Sequence, residues 1–225
     1  MQYQQLASVN PHLQYSYCAI QFDMESVSVA DFKTHDIDFP STLHKAVLKR
    51  QGEYLAGRLC AKLAMRNANY AEQQVPIGEN RAPQWPQGLL GSITHSKGLA
   101  MAVVGDASSA RGVGIDIEHF MSAKQEIELQ RHILGEADTT CFAKLAKAVA
   151  CPLTLVFSAK ESIFKALYPS VGRFFGFEAA ALELFSDKDL RFRITQPLSE
   201  KVPKGTLITI HYQLFDGWLL TECEY

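Results

Sequence analysis

The sequence predicts an α+β chain whose strands pair antiparallel, on three observations. Ser92-Ile93-Thr94-His95 and Leu99-Ala100-Met101-Ala102-Val103-Val104 are joined by Ser96-Lys97-Gly98, the pattern of a β-hairpin. The C-terminal stretch carries strand-like runs, Leu207-Ile208-Thr209-Ile210-His211-Tyr212 and Trp218-Leu219-Leu220, which predict an antiparallel sheet. Separate segments repeat their apolar residues at helical spacing.

Composition narrows the function classes. The chain has 225 residues, 47% hydrophobic and 20% charged, enough for one large domain or two small ones. A net charge of −2 gives no field that would attract nucleic acid or a membrane surface. No apolar run approaches the roughly 20 residues a membrane span needs. The polar start, Met1 to Asn10, lacks the pattern of a signal peptide. Five cysteines (Cys18, Cys60, Cys141, Cys151 and Cys223) stand alone, an odd number without a Cys-x-x-Cys pair. They argue against a disulfide framework or a zinc site and predict core filler in a reducing cytoplasm.

In the first half, Tyr17 to Phe22 reads as a strand. Pro40-Ser41-Thr42 reads as the start of a helix running from about Leu43 to Ala68, with an apolar stripe at Leu48, Leu55, Leu59 and Leu63. Arg50 and Arg58 lie off that stripe, about 12 Å apart along the axis. Each alone suits a solvated face; the pair suits separated phosphates of one extended ligand. Residues 69–91 read as loop, and Asn80-Arg81-Ala82-Pro83-Gln84-Trp85-Pro86-Gln87-Gly88 as its rigid part. His95 falls at the hairpin mouth, as a surface donor or a functional group. The small-residue segment 105–111 divides the chain almost in half, with no sequence repeat across it.

The most informative stretch is Gly112-Val113-Gly114-Ile115-Asp116-Ile117-Glu118. Read as a strand, it puts Val113, Ile115 and Ile117 on one face and Gly114, Asp116 and Glu118 on the other. Residues two apart on a strand lie roughly 6.5–7 Å apart. Two carboxylates held that close repel unless a cation stands between them, and an all-oxygen set suits Mg²⁺. The alternative is a solvated face with two acids on it.

Further on, Ser122 opens a helix that ends near Gly135. A second helix starts around Asp138 and turns Phe142, Leu145 and Val149 inward before Pro152. In Phe157-Ser158-Ala159-Lys160-Glu161-Ser162-Ile163-Phe164-Lys165-Ala166-Leu167, Ser158 and Glu161 have capping-box spacing, which predicts a helix start. Glu161 and Lys165 project from one face, as a cap with its helical partner or as parts of a site. His119 to Lys124 offers apolar residues and a cation beside the acidic strand. There is no phosphate-binding Gly-rich loop, nucleophile elbow or zinc-protease helix.

Together these pieces resemble a known family. Gly112 to Glu118 matches a G-x-G-I-D-x-E motif and Phe157 to Ala166 an F-S-x-K-E-x-x-x-K-A motif. Ser92 to His95 matches S-x-[ST]-H, preceded by a segment with Arg81 and Trp85-Pro86. Arg50, Tyr54 and Arg58 match R-x-x-x-[FY]-x-x-x-R. The set resembles 4′-phosphopantetheinyl transferases of the surfactin-synthetase-activating type, in particular the branch serving enterobactin-like siderophore synthetases. It spans about residues 45–170.

The resemblance implies two similar α+β halves, 1–110 and 111–225, in a pseudo-twofold arrangement with coenzyme A in the cleft between them. It implies transfer of the 4′-phosphopantetheine arm of coenzyme A to a serine of an apo carrier protein, with release of adenosine 3′,5′-bisphosphate. Asp116, Glu118 and Glu161 are then expected to hold Mg²⁺, and Glu161 to take the serine proton directly or through water. Asp116, Lys160 and Lys165 are expected to contact coenzyme A, the two lysines at its phosphates, and Arg50, Arg58, Arg81, Thr94 and His95 around the nucleotide and its phosphates. Ile117 stands where some relatives carry a polar residue, which leaves the ligand set open. Peptidyl, aryl or acyl carrier domains are the expected partners, siderophore synthetases before polyketide or polyunsaturated-fatty-acid synthases. No nucleic acid or membrane is expected, and the enzyme is expected to be a cytoplasmic monomer. The competing classes are a catalytically idle carrier-binding module and a metal-dependent phosphohydrolase that cleaves the same pyrophosphate with water.

Overall fold

The hairpin between Ser92 and Val104 forms one side of a four-stranded antiparallel sheet in the computed structural model, which describes residues 1–225. The chain divides into two units, Met1–Ser109 and Ala110–Tyr225. The first contains β1 (Tyr3–Gln5), β2 (Ser16–Phe22), α1 (Ala30–Thr34), α2 (Leu48–Asn67), β3 (Leu89–Ser96) and β4 (Leu99–Asp106), with the sheet in the order β1-β2-β4-β3. Lys97 (φ 44°) and Gly98 (φ 85°) make the two-residue turn between β3 and β4. Positive φ at both positions is what the twist of a tight hairpin requires.

Helix α2 packs across β2 and β4. Cys18 lies opposite Ala102 and Ile20 opposite Ala100, and the small alanines let the helix approach that face. The helix begins at Leu48, later than the expected Leu43; a short 3-10 turn at Ser41–Leu43 precedes it. Leu48 is exposed, and the buried side instead takes Tyr54, Leu55, Leu59 and Met65, with Arg58 among them. The predicted stripe was therefore correct at Leu55 and Leu59 but wrong in leaving Arg58 outside.

The second unit contains β5 (Val113–His119), α3 (Ala123–Ile133), α4 (Thr139–Ala148), α5 (Pro152–Val171), β6 (Ala180–Phe185), β7 (Asp189–Ile194), β8 (Leu207–Leu214) and β9 (Trp218–Glu224). Its antiparallel sheet runs β5-β9-β8-β7-β6. Ser122 opens α3 as expected, and it does so in a capping box with Gln125. Helix α5 starts with Pro152, whose missing N–H costs nothing in a first turn, and stops at Gly172 (φ 70°). Ser158 is thus well inside α5, and the helix start expected there does not exist.

The core of this unit joins Leu155, Ala159, Ile163 and Leu167 of α5 to Phe192, Ile194, Ile208, Ile210 and Leu219 of the sheet. Each large side chain fully buried this way contributes roughly 1.5–3 kcal/mol. Phe120 and Met121, the apolar residues that follow the acidic strand, are partly buried against the same core. All five cysteines are free thiols, and four are buried. No helix is long and apolar enough to cross a membrane.

Candidate active site

The two glycines of the acidic strand are spacers. A Cβ at Gly114 would meet the Ser162 carbonyl oxygen at 1.9 Å, and one at Gly112 would meet that of Ala166 at 2.0 Å. Only hydrogen at these positions lets the chain lie against the backbone of α5. Two residues further along the same face, Asp116 is carried to the helix with 5% of its surface exposed. Lys165 of α5 donates from Nζ to Asp116 Oδ1 (2.8 Å) and to the Ile115 carbonyl oxygen (2.8 Å). Lys165 thus sets a positive charge of the protein itself against Asp116.

Three buried hydroxyls fix the same helix on the sheet. Thr221 lies opposite Asp116 on β9, and its Oγ1 is 2.9 Å from Ser158 Oγ and 2.8 Å from Ser162 Oγ. Ser158 Oγ also donates to the Asp116 carbonyl oxygen at 3.3 Å. Ser158 therefore joins helix to strand rather than capping a helix, and Glu161 is released from the capping role.

Glu161 is half-buried on α5. Burial raises its carboxyl above the ordinary value; Lys165 pulls it back and the nearby Asp116 charge pushes it further up. Glu118 follows Asp116 on the same face of β5 and is also half-buried. Asp116, Glu161 and Lys165 thus act on one another. No three acidic, histidine or cysteine side chains close into a metal cage as they stand.

Lys160 goes elsewhere. Its ammonium is buried and donates to Asp138 Oδ2 (2.6 Å) and to the carbonyl oxygens of Ile133 (2.9 Å) and Phe177 (3.1 Å). Burial lowers its pKa while Asp138 raises it. An ammonium has three protons, and all three are used. The expectation that Lys160 contacts phosphate does not fit this placement, because its neighbours in space were hidden in the sequence.

In the first unit, Arg50 and His95 come together. Arg50 Nη1 lies 3.2 Å from His95 Nε2. A guanidinium only donates, so Nε2 accepts and the proton sits on Nδ1. That nitrogen and Arg50 Nη1 are each 3.8 Å from Glu53 Oε2. Thr94 is buried on β3. Arg58 is buried, donates from Nε to the Val75 carbonyl oxygen and stacks its guanidinium 4.6 Å from the Tyr54 ring centroid. Burial lowers its pKa, against the pull of Tyr54. Arg81 is exposed on a short turn in which Asn80 (φ 51°) and Arg81 (φ 67°) both take left-handed backbone. Non-glycine residues seldom do so, and such strain gathers at functional segments. Behind the turn, the Trp85 ring fills the space a Cβ at Gly91 would need, 2.4 Å from its Cζ2.

Residues 39–105 match the 4′-phosphopantetheinyl transferase N-terminal domain, and residues 112–220 match the 4′-phosphopantetheinyl transferase superfamily. The chain is a 4′-phosphopantetheinyl transferase. Among curated relatives, enterobactin synthase component D of Escherichia coli is 44% identical over 188 residues, 81% of each chain. The Salmonella typhimurium protein of that name is 32% identical over 198 residues, 86% of this chain and 80% of its own. The 4′-phosphopantetheinyl transferase PptT of Mycobacterium tuberculosis is 31% identical over 144 residues, 64% of this chain and 62% of its own.

Two residues of this transferase were missed in the sequence. Glu53 was readable in principle, since it stands three residues after Arg50 on one helix. Asp138 had no such signal: it was read only as a helix start, and its partner Lys160 is 22 residues away.

Proposed function

We propose that this transferase moves the 4′-phosphopantetheine arm of coenzyme A onto a serine of an apo carrier domain, and that Asp116, Glu161 and Lys165 carry the chemistry. The observation that supports this most is the Lys165–Asp116 contact beside a half-buried Glu161 whose carboxyl is raised. Glu161 stands beside Asp116 and Lys165, where it takes the serine proton directly or through one water. The serine oxygen forms a bond to the phosphorus that bears the arm. The bond from that phosphorus to the leaving phosphate breaks, and adenosine 3′,5′-bisphosphate departs with the electron pair. Lys165 supplies fixed positive charge where the leaving phosphate gains negative charge. Arg50 with His95, and Arg81 from its strained turn, hold the nucleotide phosphates; Arg58 supports this set from the buried side of α2.

Mg²⁺ fits the chemistry of the acidic donors. They are all carboxylate oxygens, two of them two residues apart on one strand face, and Glu161 feels the Asp116 charge. Asp116, Glu118 and Glu161 would hold the ion, which when bound supplies charge neutralisation at the pyrophosphate. The carrier domains we assign are those of siderophore synthetases, on the likeness to enterobactin synthase component D. The free, mostly buried thiols suit a cytoplasmic enzyme.

The test is to incubate the chain with coenzyme A, Mg²⁺ and an apo aryl or peptidyl carrier domain and to weigh the carrier. A gain equal to the phosphopantetheine arm on its serine peptide supports the reading. Release of free phosphopantetheine without a carrier adduct would replace it with a hydrolase.

A further inference from the structure

Lys160 and Glu161 are neighbours on α5, so their side chains leave the helix about 100° apart. Glu161 goes toward the acidic strand, within reach of the Asp116 charge. Lys160 goes into a closed polar node. Asp138 accepts from Lys160 Nζ at 2.6 Å and the Gly135 N–H at 2.8 Å through Oδ2, and from the Leu182 N–H at 2.7 Å through Oδ1. Lys160 gives its other two protons to Ile133 and Phe177. The pair thereby joins the end of α3, the turn before α4, the middle of α5 and strand β6. Side-chain exposure is 1% for Lys160 and 2% for Asp138.

A buried pair of this kind is a weak source of net stability, because desolvation offsets most of the attraction. Its effect is on geometry: each Lys160 proton and both Asp138 oxygens are engaged by fixed partners. Helix α5 is held on the β5 side by Lys165, the Thr221 hydroxyl cluster and the glycine contacts. The Asp138–Lys160 node holds the same helix from the β6 side. The two sets of contacts oppose rotation of α5 about its axis.

We infer that Asp138 and Lys160 are a positioning pair for Glu161, so that the motif lysine serves the reaction from behind the helix without touching a phosphate. This rests on the role proposed for Glu161. It assigns Asp138 a part in the reaction, and it replaces the phosphate contact expected for Lys160.

The test uses the full chain with Asp138→Asn, Lys160→Met and the double variant. Melting curves set the folded fraction, and steady-state kinetics with coenzyme A and an apo carrier give kcat and KM per folded molecule. Each single change leaves one buried charge without its partner. We expect kcat to fall ~10–100-fold, the scale of a catalytic group misplaced by about an ångström, while KM for coenzyme A stays within about threefold. The double variant removes both charges and keeps the volume, so its kcat should stand above either single variant. Lys160→Met with kcat preserved and KM for coenzyme A raised tenfold or more would overturn the inference in favour of a phosphate contact. Single variants that turn over normally per folded molecule, or a double variant worse than both, would also overturn it. Wild-type enzyme that transfers nothing would overturn the proposed function itself, and the inference with it.

Discussion

Lys165 Nζ stands 2.8 Å from Asp116 Oδ1 and 2.8 Å from the Ile115 carbonyl oxygen, so one ammonium holds both side chain and backbone of the acidic strand. The sequence had suggested that Asp116 stands under like-charge strain until a metal arrives. With Lys165 in place, Asp116 is instead half of an ion pair. Lys165→Met should lower the melting temperature by leaving a carboxylate buried and unbalanced. The cost should fall below the roughly 3–5 kcal/mol of a fully buried pair, because a quarter of the Lys165 side chain remains exposed. Asp116→Asn should keep the fold and lose at least ~10² in transfer rate. Near-normal turnover in that variant would remove Asp116 from the site.

Glu161 gives a pH prediction. Its carboxyl is raised in the folded state, chiefly by burial, so the folded protein binds that proton more tightly than the unfolded chain. The group therefore favours folding most below the ordinary glutamate value of 4.5, and that advantage is lost as pH rises through the folded-state value. Glu161→Gln has no charge to bury. Measured in chelator, its melting temperature should exceed wild type at neutral pH, and the gap should close toward pH 4. A gap that widens on acidification would mean that Glu161 is stabilised as the anion.

Gly114→Ala tests the spacer role. The added methyl would meet the Ser162 carbonyl oxygen at 1.9 Å, and backbone cannot swing aside. Overpacking costs typically 1–3 kcal/mol, and this case should reach at least the upper end. Thermal melts should show the loss, with activity falling alongside. A variant as stable as wild type would mean that β5 and α5 are not pressed together.

What the sequence could and could not disclose follows from where each partner sits. The β3–β4 hairpin, the Ser122 cap and the acid-bearing face of β5 depend on residues a few positions apart, and local pattern was sufficient for them. Ser158 and Glu161 carry a capping-box spacing, but that spacing is equally met by a serine in mid-helix that bonds across to a sheet. Its partner, Thr221, is 63 residues away. Lys160 was misread for the same reason, since nothing local tells a buried ammonium from an exposed one. The burial of Arg58 was hidden because the sequence does not reveal that Val75 and Tyr54 enclose it. Strand β1 has three residues, too few for any alternation to register.

Arg81 offers a test in the first unit. It is exposed on a strained turn, so Arg81→Ala should leave the melting temperature almost unchanged. If it holds the 3′-phosphate, wild type should prefer coenzyme A over dephospho-coenzyme A, and the variant should lose about 10–100-fold of that preference. Kinetics with the two substrates decide it; undiminished preference would assign the 3′-phosphate to other cations.

The most direct measurement is single-turnover transfer by wild type and Glu161→Gln, followed by mass spectrometry of an apo carrier domain with coenzyme A and Mg²⁺ in excess. Glutamine preserves size and one acceptor oxygen, and Glu161 caps no helix, so the variant should be folded. Wild type should convert the carrier serine to its phosphopantetheine ester, and the folded variant should do so at least ~10²-fold more slowly. A folded Glu161→Gln enzyme with wild-type turnover would contradict the role proposed for Glu161.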